Sequence, residues 1–526
     1  MKRRDFLKVS QAATLAYFIN GTPVSAYARN PLLELLAKQT AANGRVLVMI
    51  QLNGGNDGLN TVIPLDQYSQ LSNARSNILI PQNKVLALAN TNLTGLHPAM
   101  TGIRDMYDNG LVNIIQGVGY PDPNFSHFRA TDIWMSGSDE NQYINTGWLG
   151  RHLDEEFPGY PAGFPNTNMP DPLAIQIGSG ISNLLQGENA NLGMAIASLN
   201  SFYNIVNGTV DPAPNTPAGH ELTFIRYIKQ QTETYTKVIQ TAAGMAQNVS
   251  TKWPTTGNRL ADQLKIVSRL IAGGLKTPIY VVSIGGFDTH SQQTDSTDTT
   301  VGNHANLLQD ISEAVDAFFD EAKIHKYEDR VAAMTFSEFG RRIKSNASGG
   351  TDHGTTAPVF VFSKYVNPGI IGVNPPLPAN AAVGDNLPLL NDYRTIYSAV
   401  LADWFQIDTQ TMDKVLMKHY KVLPVFQKTN NLEETTISGR DEILGQNYPN
   451  PFSRNTTITF SSDGGMVGIQ LFDVSGRLVK NILPPKQMDK GKHQVTIERG
   501  DLPPGQYFYR LSNGKNQSTK QLTVMD

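Results

Sequence analysis

The 526-residue chain is predicted to form a doubly wound α/β domain, a mainly parallel sheet flanked by helices, followed by a small all-β sandwich. Three observations predict this. Short apolar β-rich runs alternate with stretches of helical spacing, the pattern of βαβ units. Several of those runs end on glycine-flanked Asp, Glu or His, and open α/β sheets bind ligands at the carboxyl ends of their strands. Beyond about Lys428 the pattern changes to alternating apolar and polar residues with Gly or Pro between the runs, as in a small sandwich.

The N-terminus reads as an address. Lys2, Arg3 and Arg4 precede a mildly apolar run from Val9 to Ile19, and Ala26-Tyr27-Ala28 places small residues at a cleavage site. This predicts a twin-arginine-like signal peptide over 1–28 and a mature chain from near Arg29. The apolar run is too short to span a bilayer, and no transmembrane segment is expected. The α/β domain is expected over 31–428, a polar linker over 429–443 and the β module over 444–526. Within the α/β domain, Arg45 to Leu52, Leu111 to Gly117, the runs from Pro278 and Val331, and Ala357 to Ser363 read as strands. Phe224 to Met245, Leu260 to Leu275 and His304 to Ala322 read as helices; in the last, Leu307, Leu308, Ile311, Ala314, Val315 and Phe318 share one face. Asn141 to Pro217, rich in Gly, Pro and Asn, reads as long loops or an insertion near the sheet's edge. In the β module, Thr456 to Phe460, Val467 to Phe472, His493 to Ile497 and Gln506 to Leu511 alternate as half-buried strands do.

Composition narrows the chemistry. The net charge is −3 and there is no basic stripe, so nucleic acid is not an expected partner. The chain has no cysteine, which excludes disulfides, thiolate catalysis and Cys-bound zinc. A metal site must therefore use His, carboxylates, hydroxyls or backbone oxygens.

The motifs that could do chemistry follow the predicted strands. Asp57, in Asn53-Gly54-Gly55-Asn56-Asp57-Gly58, is either a ligand or the cap of a glycine-rich turn. Ser126 is a helix N-cap or a nucleophile, and His127 beside it a base, a ligand or a neighbour. In Gly285-Gly286-Phe287-Asp288-Thr289-His290, two extended residues of spacing put Asp288 and His290 on one side, able to grip one ion. Glu338 ends another strand, with Arg341 and Arg342 either near an anion or on a solvated face. Asp352 and His353, flanked by glycines, approach from their own loop. His97, His152, His220, His304, His325 and His419 lack such settings, although His97 and His304 could support a site from behind.

In this order, Gly-Gly-Asn-Asp-Gly, Phe-Ser-His, Gly-Gly-Phe-Asp-Thr-His, Ser-Glu-Phe-Gly-Arg and Asp-His-Gly resemble the domain-of-unknown-function 1501 family of the alkaline phosphatase and sulfatase superfamily. The resemblance implies an alkaline-phosphatase-like fold and one or two divalent ions (Zn, Mg, Mn or Ca). Asp57, Ser126 and Glu338 would sit at one ion, and Asp288, His290 and His353, with Asp352 in the same loop, at the other. Ser126 would be the nucleophile and Arg341 an oxyanion partner. Two departures stand out. The Asp288-to-His290 spacing is shorter than the superfamily's, and Ser337-Glu338 replaces an Asp-His pair, which leaves the second ion weaker, harder or absent.

Leu444 to Phe452, Leu471 to Val479 and Leu502 to Leu511 resemble a type A sorting domain of the type IX secretion system. That implies export to the periplasm, then placement at the outer-membrane surface or outside the cell, with the type IX machinery as partner. The resulting expectation is a secreted, metal-dependent hydrolase of phosphate or sulfate esters, acting on a small anionic ester or a polysaccharide-linked substrate. The alternative is a non-catalytic binding protein that keeps the fold and one metal.

Overall fold

The structure of the chain, a computed structural model, describes residues 44–161, 163–196, 235–427 and most of 444–525, with two short strands at Ala16–Ile19 and Thr22–Ser25. The twin arginines, the expected cleavage site and the expected linker over 429–443 lie outside the described residues, as do His220 and the first half of the helix expected from Phe224. Residues Ala41–Lys428 make one compact unit, and Thr429–Asp526 belong to another.

The larger unit is built on a nine-stranded sheet. Its strands are β1 (Val46–Asn53), β2 (Val112–Gly119), β3 (Ala174–Ile177), β4 (Gly193–Ile196), β5 (Ile279–Gly285), β6 (Val331–Phe336), β9 (Ala357–Phe362), β10 (Gly369–Ile371) and the two-residue β11 (Asn391–Asp392). A separate hairpin pairs β7 (Gly340–Ser345) with β8 (Thr351–Gly354). The sheet order is β10-β2-β9-β6-β1-β5-β3-β4, with β11 also on β2. Every neighbouring pair is parallel except the two made by β9. The carboxyl ends of β1, β2, β5 and β6 therefore share one edge, and β9 starts from that same edge.

Alternation along β1 explains the two layers. Val46, Val48 and Ile50 enter one core with helices α3 (Thr101–Asp108), α6 (Arg259–Ala272) and α7 (Asn303–Ile324). Leu47 and Met49 enter another with α4 (His127–Ser136), α5 (Trp148–Glu156), α8 (Tyr393–Ala399) and α9 (Thr409–Leu416). Both faces are covered, so the central strands are apolar throughout, as buried parallel strands are. The short helices α1 (Gly58–Thr61) and α2 (Tyr68–Arg75) follow β1.

The stretch from Asn141 differs from its loop reading. Its described part holds α5, whose Trp148, Leu149 and Leu153 are buried, and the edge strands β3 and β4. Four-residue strands are too short to show a period among the surrounding Gly and Asn.

The smaller unit is all-β. Strands β12 (Asn455–Asp473), β13 (Leu478–Glu498), β14 (Gly505–Asn513) and β15 (Asn516–Val524) form one antiparallel sheet in the order β13-β12-β14-β15. Leu444, Phe452, Ile458, Phe460, Ile469, Leu471, Tyr509 and Leu522 make its core. The two strands expected at Thr456 and Val467 are one long strand. Gly464 and Gly465, at φ of 90° and 138°, carry the backbone between them without ending its pairing to β13.

Candidate metal centre

Four side chains converge at the shared edge. His127 opens α4 after β2, Asp288 and His290 follow β5, and His353 lies on β8, one hairpin before β9. His290 Nε2 lies 2.9 Å from His353 Nε2, and each lies 3.2 Å from Asp288 Oδ1. His127 Nε2 is 3.5 Å from Asp288 Oδ2. The ligand atoms of His127, Asp288 and His353 all lie within 4.8 Å of one another.

The far side of each ring is tied down. His127 Nδ1 is 2.8 Å from Glu338 Oε1, His290 Nδ1 is 3.2 Å from Asp352 Oδ1, and His353 Nδ1 is 2.9 Å from the carbonyl of Phe125. Each of these partners is an oxygen acceptor, which suits the tautomer with the hydrogen on Nδ1 and a bare Nε2 turned inward. Three such nitrogens then face the Asp288 carboxylate, acceptors turned toward an acceptor, and the donor that carboxylate has, Arg341, reaches it from the protein side. A divalent ion resolves that: with bonds of about 2.0–2.1 Å, tetrahedral ligand atoms lie roughly 3.3 Å apart, close to the spacings about Asp288, although His290 stands outside the group formed by His127, Asp288 and His353. The donor set fits a metal, and the Nδ1 partners are what such sites use to orient their histidines.

The supports are built from neighbouring loops. Glu338, 2% exposed, also accepts from the Gly54 amide at 2.8 Å. Gly54 has φ 123°, and a Cβ there would come within 2.2 Å of the Asp288 nitrogen, so only glycine lets the β1 and β5 loops meet. The ring of Phe339 packs against His127 and His353, with centroids 4.9 and 4.4 Å away. Asn346 Nδ2 donates to the His290 carbonyl at 2.8 Å and to Asp352 Oδ1 at 3.2 Å. Burial opposes the charge on Asp288, but the Arg341 guanidinium outweighs it and lowers its pKa to about 2. At Asp352 burial is likewise outweighed, by Asn346 and His290, and the pKa falls. His353 is lowered by its own burial, against the pull of Asp288.

The remaining residues singled out from the sequence lie around this ring. Ser126 is exposed at the N-cap of α4 and makes no side-chain cap bond; its amide donates to Asn124 Oδ1 at 2.9 Å. Arg341 is buried, with Nε on the Gly55 carbonyl, Nη1 on the Thr351 carbonyl, and Nη2 shared by the carbonyls of Gly54 and Phe287 and by Asp288 Oδ1 at 2.7 Å. Its donors point into the protein. Asp57 is not among the converging groups. Both of its oxygens accept from Arg75 Nη1, at 2.9 and 2.8 Å, and Oδ2 accepts from Gln293 at 2.6 Å. Burial would raise its pKa, but Arg75 and His304 hold it below the usual value. His304 donates to Asn56 Oδ1 at 2.9 Å behind this pair, beside His97.

Sequence reasoning missed Gln293, whose Oε1 accepts from Thr289 and Thr351 at 3.0 and 2.8 Å and so ties the two ligand loops together. It also missed the Phe125 carbonyl and the ring of Phe339. A backbone oxygen carries no residue signature, and Gln293 lies in an ordinary polar stretch; Phe339, inside Ser-Glu-Phe-Gly-Arg, was the one legible clue.

Comparison with known proteins gives two family matches. Residues 116–410 match the family described as protein of unknown function (DUF1501), and residues 446–525 match the secretion system C-terminal sorting domain. No curated protein matches the chain. Among solved structures, a protein in the alkaline phosphatase superfamily from Vibrio parahaemolyticus is similar, with 10% identity, a TM-score of 0.34 and coverage of 100% of this chain and 91% of that one. The PsFucS1 sulfatase from Pseudoalteromonas sp. has 9% identity, a TM-score of 0.33 and coverage of 93% and 91%. The alkaline phosphatase from the Antarctic bacterium TAB5 has 10% identity, a TM-score of 0.27 and coverage of 72% and 99%.

Proposed function

The chain belongs to the DUF1501 family, and from that premise we propose that it is an exported, metal-dependent hydrolase of phosphate or sulfate esters with a single metal ion. The observation that carries the reading is the set of three inward Nε2 atoms around Asp288, each ring fixed from behind by Glu338, Asp352 or the Phe125 carbonyl. His127, Asp288, His290 and His353 would hold the ion. Three nitrogen donors favour zinc or a similar transition ion over magnesium or calcium. Bound there, it would supply Lewis acidity toward an ester oxygen.

The chain's own groups set the rest. Glu338 and Asp352 keep His127 and His290 in the Nδ1–H tautomer. Arg341 pins Asp288 from inside, a positioning role rather than contact with an oxyanion. Ser126, exposed and one residue before His127, is the proposed nucleophile. Asp57 is proposed as the anchor of the loop behind the site and not as a ligand to a second ion.

The sorting domain points to export and to the outer-membrane surface or the medium. Among the described residues no helix is long and apolar enough to cross a membrane. The same proposal includes a leader at 1–28, a periplasmic stage, and domain boundaries near 428 and 444. A binding protein without turnover is the second reading, favoured by Asp57, whose commitment to Arg75 removes one of the expected metal carboxylates.

The test is metal content by mass spectrometry, then turnover of p-nitrophenyl sulfate and bis(p-nitrophenyl) phosphate. One equivalent of metal, with hydrolysis lost on chelation and in Ser126→Ala, is the expected result. Metal without turnover supports the binding protein. Failure to take up zinc or manganese on reconstitution defeats both readings.

A further inference from the structure

A groove of about 320 Å³ lies between the 143–146 and 183–188 segments, with Asp132 of α4 on its wall, lined by Tyr143, Asn145, Asn183, Gln186 and Glu188 among others. Nothing in the metal centre uses it. Its one aromatic, Tyr143, is 82% exposed, yet it is held in place: the Arg129 guanidinium stacks 4.2 Å from the ring centre. Arg129 is in turn fixed by Asp132 at 2.5 Å and by the carbonyls of Glu140 and Gln142 at 2.9 and 2.6 Å. Among the described residues, the side chains of Asn145, Asn183 and Glu188 make no hydrogen bond to another protein group. The site thus offers an immobilised aromatic face beside unengaged amide and carboxylate groups.

The groove and the metal centre share α4: Asp132 lines the one and His127 belongs to the other. Asp132 and Phe128 are four residues apart on α4 and so share a face. Phe128 is 91% exposed and adjoins His127. From His127 to Asp132 the helix rises only about 7.5 Å.

We propose that this groove is a subsite for an uncharged sugar unit, and that the ester cleaved at the centre is carried on a polysaccharide. The C–H face of a sugar stacks on an aromatic ring, while its hydroxyls bond to amides and carboxylates. An anionic unit is disfavoured, because the one guanidinium at the groove already serves Asp132 and backbone carbonyls. A purely apolar ligand would leave the amides unpaired. The polysaccharide-borne ester rests on the hydrolase reading; the sugar binding does not.

The experiment is calorimetric titration of the full chain with cellohexaose, xylohexaose, laminarihexaose and mannohexaose, before and after metal removal by chelation. At least one hexaose binds, equally well in both states. Tyr143→Ala weakens it by ~10-fold or more, whereas Tyr143→Phe, which keeps the ring, stays within about 3-fold. Tyr143 is a surface side chain, so both variants fold. Binding of none of the four sugars, or a Tyr143→Ala variant that binds like the parent, overturns the subsite. Neither result touches the metal content, so a failed groove and a failed metal centre are told apart.

Discussion

Asp57 and Asp288 occupy matching places in the chain. Each follows a buried parallel strand and a Gly-Gly pair, and the two strands are hydrogen-bonded neighbours. Their fates differ. Asp57 is 1% exposed and locked to Arg75 and Gln293, whereas the Asp288 side chain is 47% exposed within a ring of imidazoles. Each has a buried guanidinium, and the difference lies in how much of the carboxylate that guanidinium takes. Arg75, wholly buried at the end of α2, reaches back to Asp57, while His127 and His353 arrive at Asp288 from two other elements. Arg75 Nη1 takes both oxygens of Asp57 and closes that site; Arg341 Nη2 takes only Oδ1 of Asp288 and is shared with two backbone carbonyls, so Oδ2 stays open toward His127.

The largest effect expected from this contrast is in stability. Asp57→Ala leaves Arg75 buried without its carboxylate, which costs about 3–5 kcal/mol, read by urea unfolding. The folded fraction keeps its full metal content. Loss of metal with unchanged stability would reverse the roles assigned to the two aspartates.

Asp288→Asn should do the opposite. Removing a ligand lowers metal affinity by at least ~100-fold, the top of the range seen when only a supporting group is lost, measured by competition with a chelating dye. With metal absent, stability changes by less than about 1 kcal/mol, since Asp288 is partly solvated and Asn retains an acceptor for Arg341. A metal affinity equal to the parent's would remove Asp288 from the centre.

The contrast also explains what could be read in advance. The central strands were legible because burial on both faces makes each a continuous apolar run, as in Val46 to Leu52 and Val331 to Phe336. The reversed direction of β9 was not, since Ala357 to Phe362 reads alike both ways; the β7–β8 hairpin turns the chain round. His127, Asp288, His290 and His353 were legible because chemistry-bearing types sat beside glycines at strand ends. The commitment of Asp57 and Arg341 was not. It depends on Arg75 and on four backbone carbonyls, which meet these side chains only in three dimensions.

Glu338→Gln sharpens the comparison at a residue that touches both loops. One atom, Oε1, serves both the Gly54 amide and His127 Nδ1, so a glutamine that turns its NH₂ toward His127 favours the tautomer with the hydrogen on Nε2 and gives up the Gly54 amide. Metal affinity should then fall by about 10- to 100-fold, less than in Asp288→Asn. Glu338→Ala serves as the harsher reference. If the glutamine variant binds metal like the parent, the Glu338–His127 contact is packing rather than orientation.

The smallest effect isolates the Asp57 side. Burial depresses the pKa of His304 from 6.5 to about 4, with the attraction of Asp57 only partly opposing it. The folded state therefore keeps this ring neutral while the unfolded chain takes up a proton near pH 6.5. Stability from this group is complete above that pH and declines as pH falls toward 4. Between pH 7 and 6 the loss is about 0.7 kcal/mol by proton linkage. His97 and His152, with pKa values near 3 and 4, add losses of the same sign. His304→Gln keeps a donor for Asn56 and should flatten the slope by about one part in three. Urea unfolding of the chelator-treated protein at pH 7 and pH 6 reads the slope without metal release from His127, His290 and His353. An unchanged slope in His304→Gln would mean that this histidine is not held neutral behind Asp57, and that the buried side of the comparison is more hydrated than its packing implies.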